Sequence, residues 1–367
     1  MKKRILVIGL TERMGGVETF IYNTTRFSDK SKYKYDFLVH GTDHTVFQKE
    51  ITDFYNDGEE HFFFVPSIKK HPVASLRALS RFYKNNASKY DYIHLETGAT
   101  SEIMYVYPFV KKYNLKVITH SHNGNGYSPI VNFLFRPLVN KVSVKELSCS
   151  KKAADWLFGI KKEKSIIIIN NGIDTDRFTF DEQARKQIRN KYNISDSTLV
   201  VGHIGRFSEQ KNHKFILKIF KEINNQHQDS VLMLVGTGEL KNKIKEQIVN
   251  LQLEDKVILC GLQTKTENFY SAFDVFLMPS LYEGLPVVGI EAQSEGLISV
   301  FSNNIDKSVG ITNNAYFLSL NKSPEFWASF ILHCVNNKNR ICFANIVEKK
   351  NFSIKGTVKQ LEEVYRG

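Results

Sequence analysis

Two successive series of short apolar runs, each followed by a helix-like or polar segment, constrain the fold of this chain more than any other sequence feature. Nearly continuous apolar runs of this length are typical of strands that are covered on both faces, as in parallel sheets. The first series predicts strands at residues 4–10, 35–41, 61–66, 90–96, 116–122, 146–150 and 165–172. The second series predicts strands at residues 197–206, 231–236, 256–261, 275–280 and 298–302. This pattern predicts an α/β protein with two doubly wound, Rossmann-like domains.

The length of the chain and its central polar stretch also favour two domains. A chain of 367 residues is long for a single hydrophobic core. The polar stretch at residues 170–183 is the natural joint between the two series. We therefore predict domains at residues 1–171 and 172–350 that face each other across a cleft. A ligand is expected in that cleft, outside the carboxyl ends of the strands.

The net charge of +12 is concentrated in the first half of the chain. Residues 1–171 hold 26 basic and 16 acidic side chains, whereas residues 172–367 hold 24 and 22. This asymmetry favours an anionic partner for the first half, which could be a nucleic acid, an anionic membrane or a phosphorylated substrate. The alternative is that the positive charge reflects a generally basic proteome and indicates no partner.

Targeting and redox features point to the cytoplasm. The apolar run after the basic N-terminus ends at Leu10, which is too short for a secretory signal. No window approaches the roughly 18 unbroken apolar residues that a membrane-spanning helix needs. The cysteines contain no C-x-x-C pair; they are Cys149, Cys260, Cys334 and Cys342. We therefore predict a cytoplasmic protein with buried thiols and no metal site.

Two loops that follow strands of the second series carry residues suited to a phosphorylated ligand. Arg206 and Lys211 flank the loop after the first of these strands, where two cations could hold a diphosphate. Gly236 and Gly238 follow the next strand. A pair of solvated surface charges is the alternative interpretation of Arg206 and Lys211.

A third loop at the same predicted sheet edge carries two acids. The run MPSLYEGLPVVGIEAQSEG, residues 278–296, places Glu283 and Glu291 eight residues apart, on either side of a Gly-Pro turn. Carboxylates in this position suit a ligand with several hydroxyl groups, although a turn and a helix with solvated charges would look similar. Site-like residues in three loops at one sheet edge favour a binding site.

The first half of the chain offers a glycine turn and a pair of histidines. Gly15 and Gly16 follow the first strand, where they allow a ligand close to the backbone and leave a helix N-terminus open to an anion. A plain tight turn is the alternative, and the dinucleotide pattern G-x-G-x-x-G is absent. His120 and His122 lie on the same face of the fifth strand. We favour His122 as a site residue because it falls at the end of the strand, although such a histidine is often structural.

These motifs resemble the retaining glycosyltransferases of family 4, which have the GT-B fold, and the match runs nearly end to end. The second half matches the G-R-x-x-x-x-K loop, the G-x-G-x-x loop and the E-G-x-P-x-x-x-x-E segment in order. The matching residues are Gly205, Arg206, Lys211, Gly236, Gly238, Glu283, Gly284, Pro286 and Glu291. The H-S-H-N patch and the phrase FLSLNKSPEFW look most like bacterial capsule and exopolysaccharide enzymes.

The resemblance implies roles for these residues. Glu283 and the backbone that follows it would contact the hydroxyls of the donor sugar, and Glu291 would bond the ribose. That donor-contacting backbone is the segment Gly284, Leu285, Pro286 and Val287. Gly15 and Gly16 would face the donor phosphates, and His122 would lie by the transferred sugar. Arg206, Lys211 and a helix dipole would neutralise the departing diphosphate. The implied catalytic residues are His122, Glu283, Arg206 and Lys211, and the GT-B fold implies a C-terminal helix, residues 351–367, that packs back on the first domain.

Two positions depart from simple expectations. Asp174 and Asp176 form a D-x-D pattern like that of metal-dependent transferases, but they lie in a phrase that resembles the linker of the family. We interpret them as a turn, and we predict no metal and no cofactor apart from the nucleotide-sugar substrate. Where relatives usually have an acid after strand 298–302, this chain has Asn303 and, further on, Ser308, which leaves the outer wall of the donor site undefined.

The resemblance therefore implies a retaining, metal-independent transferase that acts on a nucleotide diphosphate sugar. The predicted reaction moves a hexose or N-acetylhexosamine, from a donor that we expect to be UDP-linked, to a lipid-linked glycan acceptor. A sugar-nucleotide epimerase of the same fold is the alternative enzyme. A basic nucleic-acid-binding protein is a remote alternative, because the chain shows no recognised nucleic-acid-binding module.

A basic and apolar segment of the first half suggests contact with a membrane. Between Ile103 and Ser165 there are eleven basic and three acidic residues, and the segment PIVNFLFRPLVNKVSVK at 129–145 is rich in apolar residues. We expect Pro137 to kink or split any helix there, which favours a short interfacial element. A core-facing helix pair is the alternative. The predicted contact is peripheral, with an anionic inner membrane surface.

Overall fold

The chain forms two compact units in the computed structural model, which describes residues 2–124, 128–160, 165–336, 340 and 342–367. The first unit consists of Met1–Gly172 together with Ile354–Gly367, and the second consists of Ile173–Ser353. No helix among the described residues has both the length and the apolar character needed to cross a membrane.

The first unit is built on a seven-stranded sheet in which every pair of neighbouring strands is parallel. Its strand order is β3-β2-β1-β4-β5-β6-β7. The strands are β1 (Lys3–Ile8), β2 (Tyr33–His40), β3 (Phe62–Val65), β4 (Tyr92–Thr97), β5 (Val117–Ser121), β6 (Ser143–Ser148) and β7 (Ile167–Ile168). The connecting α-helices are α1 (Gly16–Phe27), α2 (Gln48–Tyr55), α3 (Pro72–Asn86), α4 (Tyr107–Tyr113), α5 (Pro129–Val142) and α6 (Lys151–Phe158).

The second unit repeats this architecture with a six-stranded parallel sheet. Its strand order is β10-β9-β8-β11-β12-β13. The strands are β8 (Leu199–Ile204), β9 (Ser230–Val235), β10 (Val257–Gly261), β11 (Val275–Met278), β12 (Ile298–Ser302) and β13 (Ala315–Leu318). The α-helices are α7 (Glu182–Lys191), α8 (His213–Gln226), α9 (Lys241–Asn250), α10 (Thr266–Ala272), α11 (Val287–Ser294), α12 (Pro324–Asn336) and α13 (Ala344–Lys349).

The central strands of each sheet are covered on both faces, which explains their nearly continuous apolar runs. In β1, Ile5 packs into one core cluster and its neighbour Leu6 packs into another. In β8, Val200 and Val201 divide between two clusters in the same way. Because successive side chains of a strand point to opposite faces, a strand buried on both sides has no polar face. The predicted fold class of two doubly wound, Rossmann-like domains is confirmed.

The last helix of the chain, α14 (Ile354–Arg366), packs in the first unit. Its Leu361, Val364 and Tyr365 join the core cluster that contains β1 and β2 residues. The side chains of two lysines, Lys3 and Lys145, donate to backbone carbonyls in its last turn. Cations placed at this end complement the negative end of the helix dipole.

Two local expectations differ from the structure. The predictions omitted β13, an edge strand whose four residues are all only partly buried, so it lacks the apolar signature of the other strands. The expectation that Pro137 splits the segment 129–145 and leaves a short element was wrong, because α5 runs unbroken from Pro129 to Val142. A kink at Pro137 stays a prediction. Pro137 lies on the exposed side of α5, where solvent can replace the hydrogen bond that its missing N–H would have made.

Candidate active site

The predicted site residues of the second unit gather where its strand order reverses, between β8 and β11. In open α/β sheets, ligands bind outside the carboxyl ends of the strands at such a point. The loop from Gly205 to Lys211 follows β8, and Glu283 follows β11. The first unit has its own reversal, between β1 and β4.

The loop glycines of the second unit are required by close backbone packing. A Cβ atom on Gly236 would lie 2.0 Å from the carbonyl oxygen of Gly205, and one on Gly238 would lie 2.5 Å from that of Phe207. The φ angle of Gly236 is +136°, which L side chains rarely adopt. The N–H of Phe207 donates to the carbonyl of Thr237 at 2.9 Å, which joins the loops after β8 and β9.

Lys211 and Glu283, from two different loops, form an ion pair. Lys211 Nζ lies 2.6 Å from Glu283 Oε1, and the two side chains are 15% and 10% exposed. The N–H of Leu281 donates to the carbonyl of Gln210 at 2.9 Å, which ties the two loops together. At Gly284, no described atom lies within 4 Å of the place that a Cβ would take. A ligand can therefore approach the backbone beside this ion pair.

Helix α11 begins directly after the Glu283 loop. Pro286 is its N-cap residue and provides no side-chain hydrogen bond to the first turn. Leu285 and Val287 pack against the core of the second unit. The N-terminus of a helix carries a partial positive charge and offers backbone N–H donors, which suits an anion.

Glu291 lies on α11 and is held by a tyrosine. The hydroxyl of Tyr270 donates to Glu291 Oε2 at 2.8 Å. Burial raises the pKa of Glu291 to about 7, although Tyr270 and Arg177 oppose the change. A carboxyl with a pKa near neutrality changes charge in response to small changes in its surroundings, such as the arrival of hydroxyl donors.

Arg206 is separate from the Lys211–Glu283 pair. Its Nε lies 3.0 Å from Glu239 Oε2, and its side chain is exposed. Arg206 would therefore reach a diphosphate only by leaving Glu239, which is a small cost for an exposed ion pair.

In the first unit, the glycine turn opens α1 beside an acid. Gly15 is the N-cap residue of α1 and Gly16 is the first residue of the helix. The buried Glu18, in the first turn, accepts a hydrogen bond from the hydroxyl of Thr11 at 2.6 Å. The turn therefore contains a carboxylate that the sequence analysis did not consider, beside the helix end predicted to face the donor phosphates.

The two rival histidines belong to one buried cluster around Glu96 of β4. His122 Nε2 lies 2.6 Å from Glu96 Oε2, His120 Nδ1 lies 3.0 Å from the same oxygen, and His94 Nε2 lies 3.3 Å from Oε1. The pKa of Glu96 is held well below its usual value, because the three histidines together outweigh the opposing effect of burial. Burial also works against a charged His122, but interactions with Cys149 and Glu96 raise its pKa to about 10. Burial lowers the pKa of His120 to about 4. Glu96 and His122 are therefore the charged pair of this cluster.

The same cluster contains ligand-type atoms for a metal ion. Ligand atoms of His94, Glu96 and His120 lie within 4.8 Å of one another. Within this group, Glu96 lies 3.3 Å from His94 Nε2 and 3.0 Å from His120 Nδ1. At the D-x-D pattern, Asp174 accepts the N–H of Arg177 at 3.3 Å within a turn.

Glu96, His94 and Tyr270 contact predicted site residues but were not themselves predicted from the sequence. A usable signal existed for the first two, since the strand sequence YIHLET places two polar side chains on one face of an otherwise apolar strand. No local signal marks Tyr270, which meets Glu291 only through tertiary packing.

Comparisons with known proteins identify the family of this chain. The family model described as Glycosyltransferase Family 4 matches residues 14–177, and the model described as Glycosyl transferases group 1 matches residues 184–340. A Bacillus subtilis (strain 168) protein that carries the name glycosyltransferase EpsF is 30% identical over 344 residues, which span 90% of this chain and 87% of that protein. The Escherichia coli UDP-Gal:alpha-D-GlcNAc-diphosphoundecaprenol alpha-1,3-galactosyltransferase is 24% identical over 336 residues, 86% of each chain.

A solved structure supports the same fold. Anabaena HepE, in complex with UDP and glucose, superimposes with a TM-score of 0.80 over 99% of both chains at 16% sequence identity. With the end-to-end similarity to EpsF and the two family matches, this chain belongs to the group 1, family 4 glycosyltransferases, which have the GT-B fold.

Proposed function

We propose that this protein is a retaining, metal-independent glycosyltransferase that moves a hexose or N-acetylhexosamine from a UDP-sugar to a lipid-linked glycan in capsule or exopolysaccharide synthesis. The observation that carries the proposal is the Lys211–Glu283 pair beside the open start of α11. A cation and a helix N-terminus suit the diphosphate of a donor, and a carboxylate beside them suits the hydroxyls of its sugar.

The names of related proteins support the donor and acceptor classes. The Escherichia coli relative is named for a UDP-galactose donor and a diphosphoundecaprenol-linked acceptor. The HepE structure contains UDP and glucose. A UDP-linked donor and an acceptor on a polyprenyl diphosphate are therefore the classes to test first.

The proposed chemistry depends on orientation and on stabilising the departing diphosphate. Lys211 and the N-terminus of α11 would neutralise the charge that develops on the leaving group, with Arg206 as a second cation. Glu283 would accept hydrogen bonds from sugar hydroxyls, and Glu291 from the ribose. No protein carboxylate acts as the nucleophile in this proposal, so a glycosyl-enzyme with the sugar on Glu283 would contradict it.

The first experiment is a thermal-shift panel of UDP, GDP, ADP and their sugars, because a ligand that binds the folded state raises the melting temperature by mass action. The second is transfer from the UDP-sugar that binds to a GlcNAc-diphosphate-polyprenol, with the anomeric configuration determined by NMR and the rate compared with and without EDTA. Retention and EDTA resistance are expected. Inversion would refute the retaining mechanism, and loss of activity in EDTA would refute metal independence. Epimerised UDP-N-acetylglucosamine in the absence of an acceptor would favour the epimerase alternative.

We further propose that α5 holds the protein peripherally at an anionic membrane surface, on the cytoplasmic side where the acceptor would be reached. Three large apolar side chains of α5 are strongly exposed, namely Ile130 (74%), Phe133 (73%) and Leu134 (63%). The other side of the helix packs on the core through Phe135, Leu138 and Val139. An exposed apolar face in a basic segment suits the boundary of an anionic bilayer.

Vesicle sedimentation tests this contact. Salt-sensitive binding to anionic vesicles and little binding to neutral ones is expected, and replacing Ile130, Phe133 and Leu134 by glutamine should abolish it. A matched control replaces Val73 and Leu76, exposed apolar residues on α3 of the same unit, by glutamine. Arg136 and Lys145 are unsuitable targets, because they donate to the carbonyls of Trp156 and Val364 within the fold. Equal loss in both variants, or no binding by the wild type, would remove the membrane proposal.

A further inference from the structure

A continuous line of buried polar contacts connects the C-terminal helix to His122. The hydroxyl of Tyr365 on α14 lies 2.6 Å from His94 Nδ1. His94 Nε2 lies 3.3 Å from Glu96 Oε1, and Glu96 Oε2 lies 2.6 Å from His122 Nε2. All four side chains are buried, with 3% exposure or less.

The chemistry of these groups limits the direction of each contact. An ionised carboxylate can only accept, so His122 donates its Nε2–H to Glu96. The contact of His94 Nε2 with Glu96 Oε1, at 3.3 Å, is a polar contact without hydrogen-bond geometry. Burial lowers the pKa of His94, so its ring is neutral, and the tautomer with its proton on Nε2, toward the carboxylate, leaves Nδ1 as an acceptor. Burial raises the pKa of the Tyr365 phenol well above its usual value, so the phenol keeps its proton and donates it to that nitrogen.

We propose that Glu96 is a positioning residue for His122, and that Tyr365 holds the ring of His94 in place against Glu96. This inference rests on the proposed function, in which His122 lies by the transferred sugar. Glu96 accepts from Nε2 of His122, so it fixes the rotation of the ring and stabilises its charged form. Nδ1 of His122 is buried and has no hydrogen-bond partner among the described residues. A charged ring carries its second N–H at this nitrogen.

The surrounding side chains leave Glu96 and His122 little freedom. A Cβ atom on Gly9, at the end of β1, would lie 2.7 Å from the Cβ of Glu96, so this position has no room for a side chain. The ring of Phe20 on α1 covers the rings of His120 and His122 at centroid distances of 5.1 and 4.9 Å. The sulfur of Cys149, which follows β6, bonds the carbonyl oxygen of His122 at 3.5 Å.

Through Tyr365, the last turn of α14 would have a role in the reaction. Tyr365 is the penultimate residue of α14, which ends at Arg366. Its ring packs in the core of the first unit, so removal of the hydroxyl alone separates the positioning role from packing. Tyr33 provides a matched control, because its buried hydroxyl donates to the carbonyl of Glu362 on the same helix, at 3.1 Å, and not to a member of the line. Its ring packs against that of Tyr365 at a centroid distance of 5.8 Å, and Tyr33→Phe keeps this contact.

The experiment compares wild type with Glu96→Gln, Tyr365→Phe and Tyr33→Phe in the full chain. The first readout is kcat and KM for the UDP-sugar. We expect kcat to fall by at least about 10²-fold in Glu96→Gln and by about 10-fold in Tyr365→Phe, with KM nearly unchanged and with Tyr33→Phe close to wild type. Equal losses in Tyr365→Phe and Tyr33→Phe would reduce Tyr365 to a structural residue.

The second readout does not depend on activity. In protein labelled with ¹⁵N-histidine, long-range ¹H–¹⁵N spectra report which ring nitrogens carry protons, and His122→Asn assigns the His122 signals by their loss. At pH 7.5 we expect a doubly protonated His122 in the wild type and in Tyr33→Phe, and a singly protonated one in Glu96→Gln. Identical His122 signals in all variants would overturn the inference. A metal ion that is bound stoichiometrically in the wild type and is absent from Glu96→Gln would also overturn it. If the NMR result stands and no sugar transfer is found, the proposed function fails and the inferred contact does not.

Discussion

Replacing Glu291 by glutamine should change stability and nucleotide binding in opposite directions. The carboxyl lies on α11 and accepts from the hydroxyl of Tyr270 at 2.8 Å. Glutamine keeps the volume and can still accept this bond through its amide oxygen. The substitution therefore removes the charge and little else.

The magnitude follows from the pKa of the group. Burial raises the pKa of Glu291 from 4.5 to about 7, which corresponds to roughly 3 kcal/mol as an upper bound for a side chain that is not fully enclosed. Below pH 4.5 the carboxyl is protonated in both the folded and the unfolded chain, so it costs nothing. Between pH 4.5 and 7 the unfolded chain releases the proton first, so the free energy of unfolding falls as pH rises. Glu291→Gln avoids this loss and should be more stable by up to about 3 kcal/mol above pH 7, and nearly equal to wild type at pH 4.5.

Nucleotide binding should respond in the opposite way. Charge-assisted hydrogen bonds from ribose hydroxyls contribute about 1.5–3 kcal/mol, so UDP affinity should fall roughly 10- to 100-fold in Glu291→Gln. Chemical denaturation from pH 4.5 to 8.5 and calorimetry of UDP binding measure the two effects. Glu295→Gln is the control, because Glu295 is a buried carboxyl that pairs with Arg340 at 3.2 Å, so its replacement should leave UDP affinity unchanged. A stability difference that does not vary with pH, or unchanged UDP affinity in Glu291→Gln, would refute the reasoning.

Three further predictions test other contacts. Lys211→Ala should lower turnover by about 10²- to 10³-fold, since a lost donor to a developing anion costs about 2.7–4 kcal/mol. Arg206→Ala should also lower turnover. Wild-type rates in both variants would refute the roles proposed for Lys211 and Arg206. Glu283→Gln should impair sugar transfer while UDP binds as well as before or more tightly, because Lys211 loses its competing partner; weaker UDP binding, measured by calorimetry, would contradict this. Pro137→Ala should raise the melting temperature of the first unit, since proline inside a helix costs about 3 kcal/mol; no increase in calorimetric scans would show that α5 tolerates the proline at no cost.

Much of the fold could be predicted from the sequence, because strands buried on both faces have an unmistakable apolar pattern. The pattern failed where burial is partial, as in β13. The error at α5 has a different origin, because on a solvent-facing side of a helix water can replace the hydrogen bond that proline removes. The cost of a residue depends on its surroundings in the fold, which a local pattern does not contain.

The residues of the candidate site also differ in whether the sequence could predict them. The loops after β8, β9 and β11 carry their residues in short motifs, so Lys211, Gly236 and Glu283 could be identified directly. The partners of Glu291 and Glu96 could not, since Tyr270 and Tyr365 reach these carboxylates from α10 and α14. Contacts between distant elements have no spacing in the sequence that would reveal them.

The two ion pairs at the sheet reversals differ in burial, and this difference assigns them different tasks. Glu96 and His122 are at most 3% exposed, so separating them would leave a charge in a medium that cannot solvate it. That pair is suited to remain intact and to hold a ring in one orientation. Lys211 and Glu283 are 15% and 10% exposed and lie beside the open backbone of Gly284. A diphosphate could approach Lys211 and replace the carboxylate as its partner, since the incoming anion carries more charge than Glu283. The released Glu283 would then be free to accept hydroxyl groups from the sugar. In the absence of donor, Lys211 and Glu283 neutralise each other, so neither charge lacks a partner.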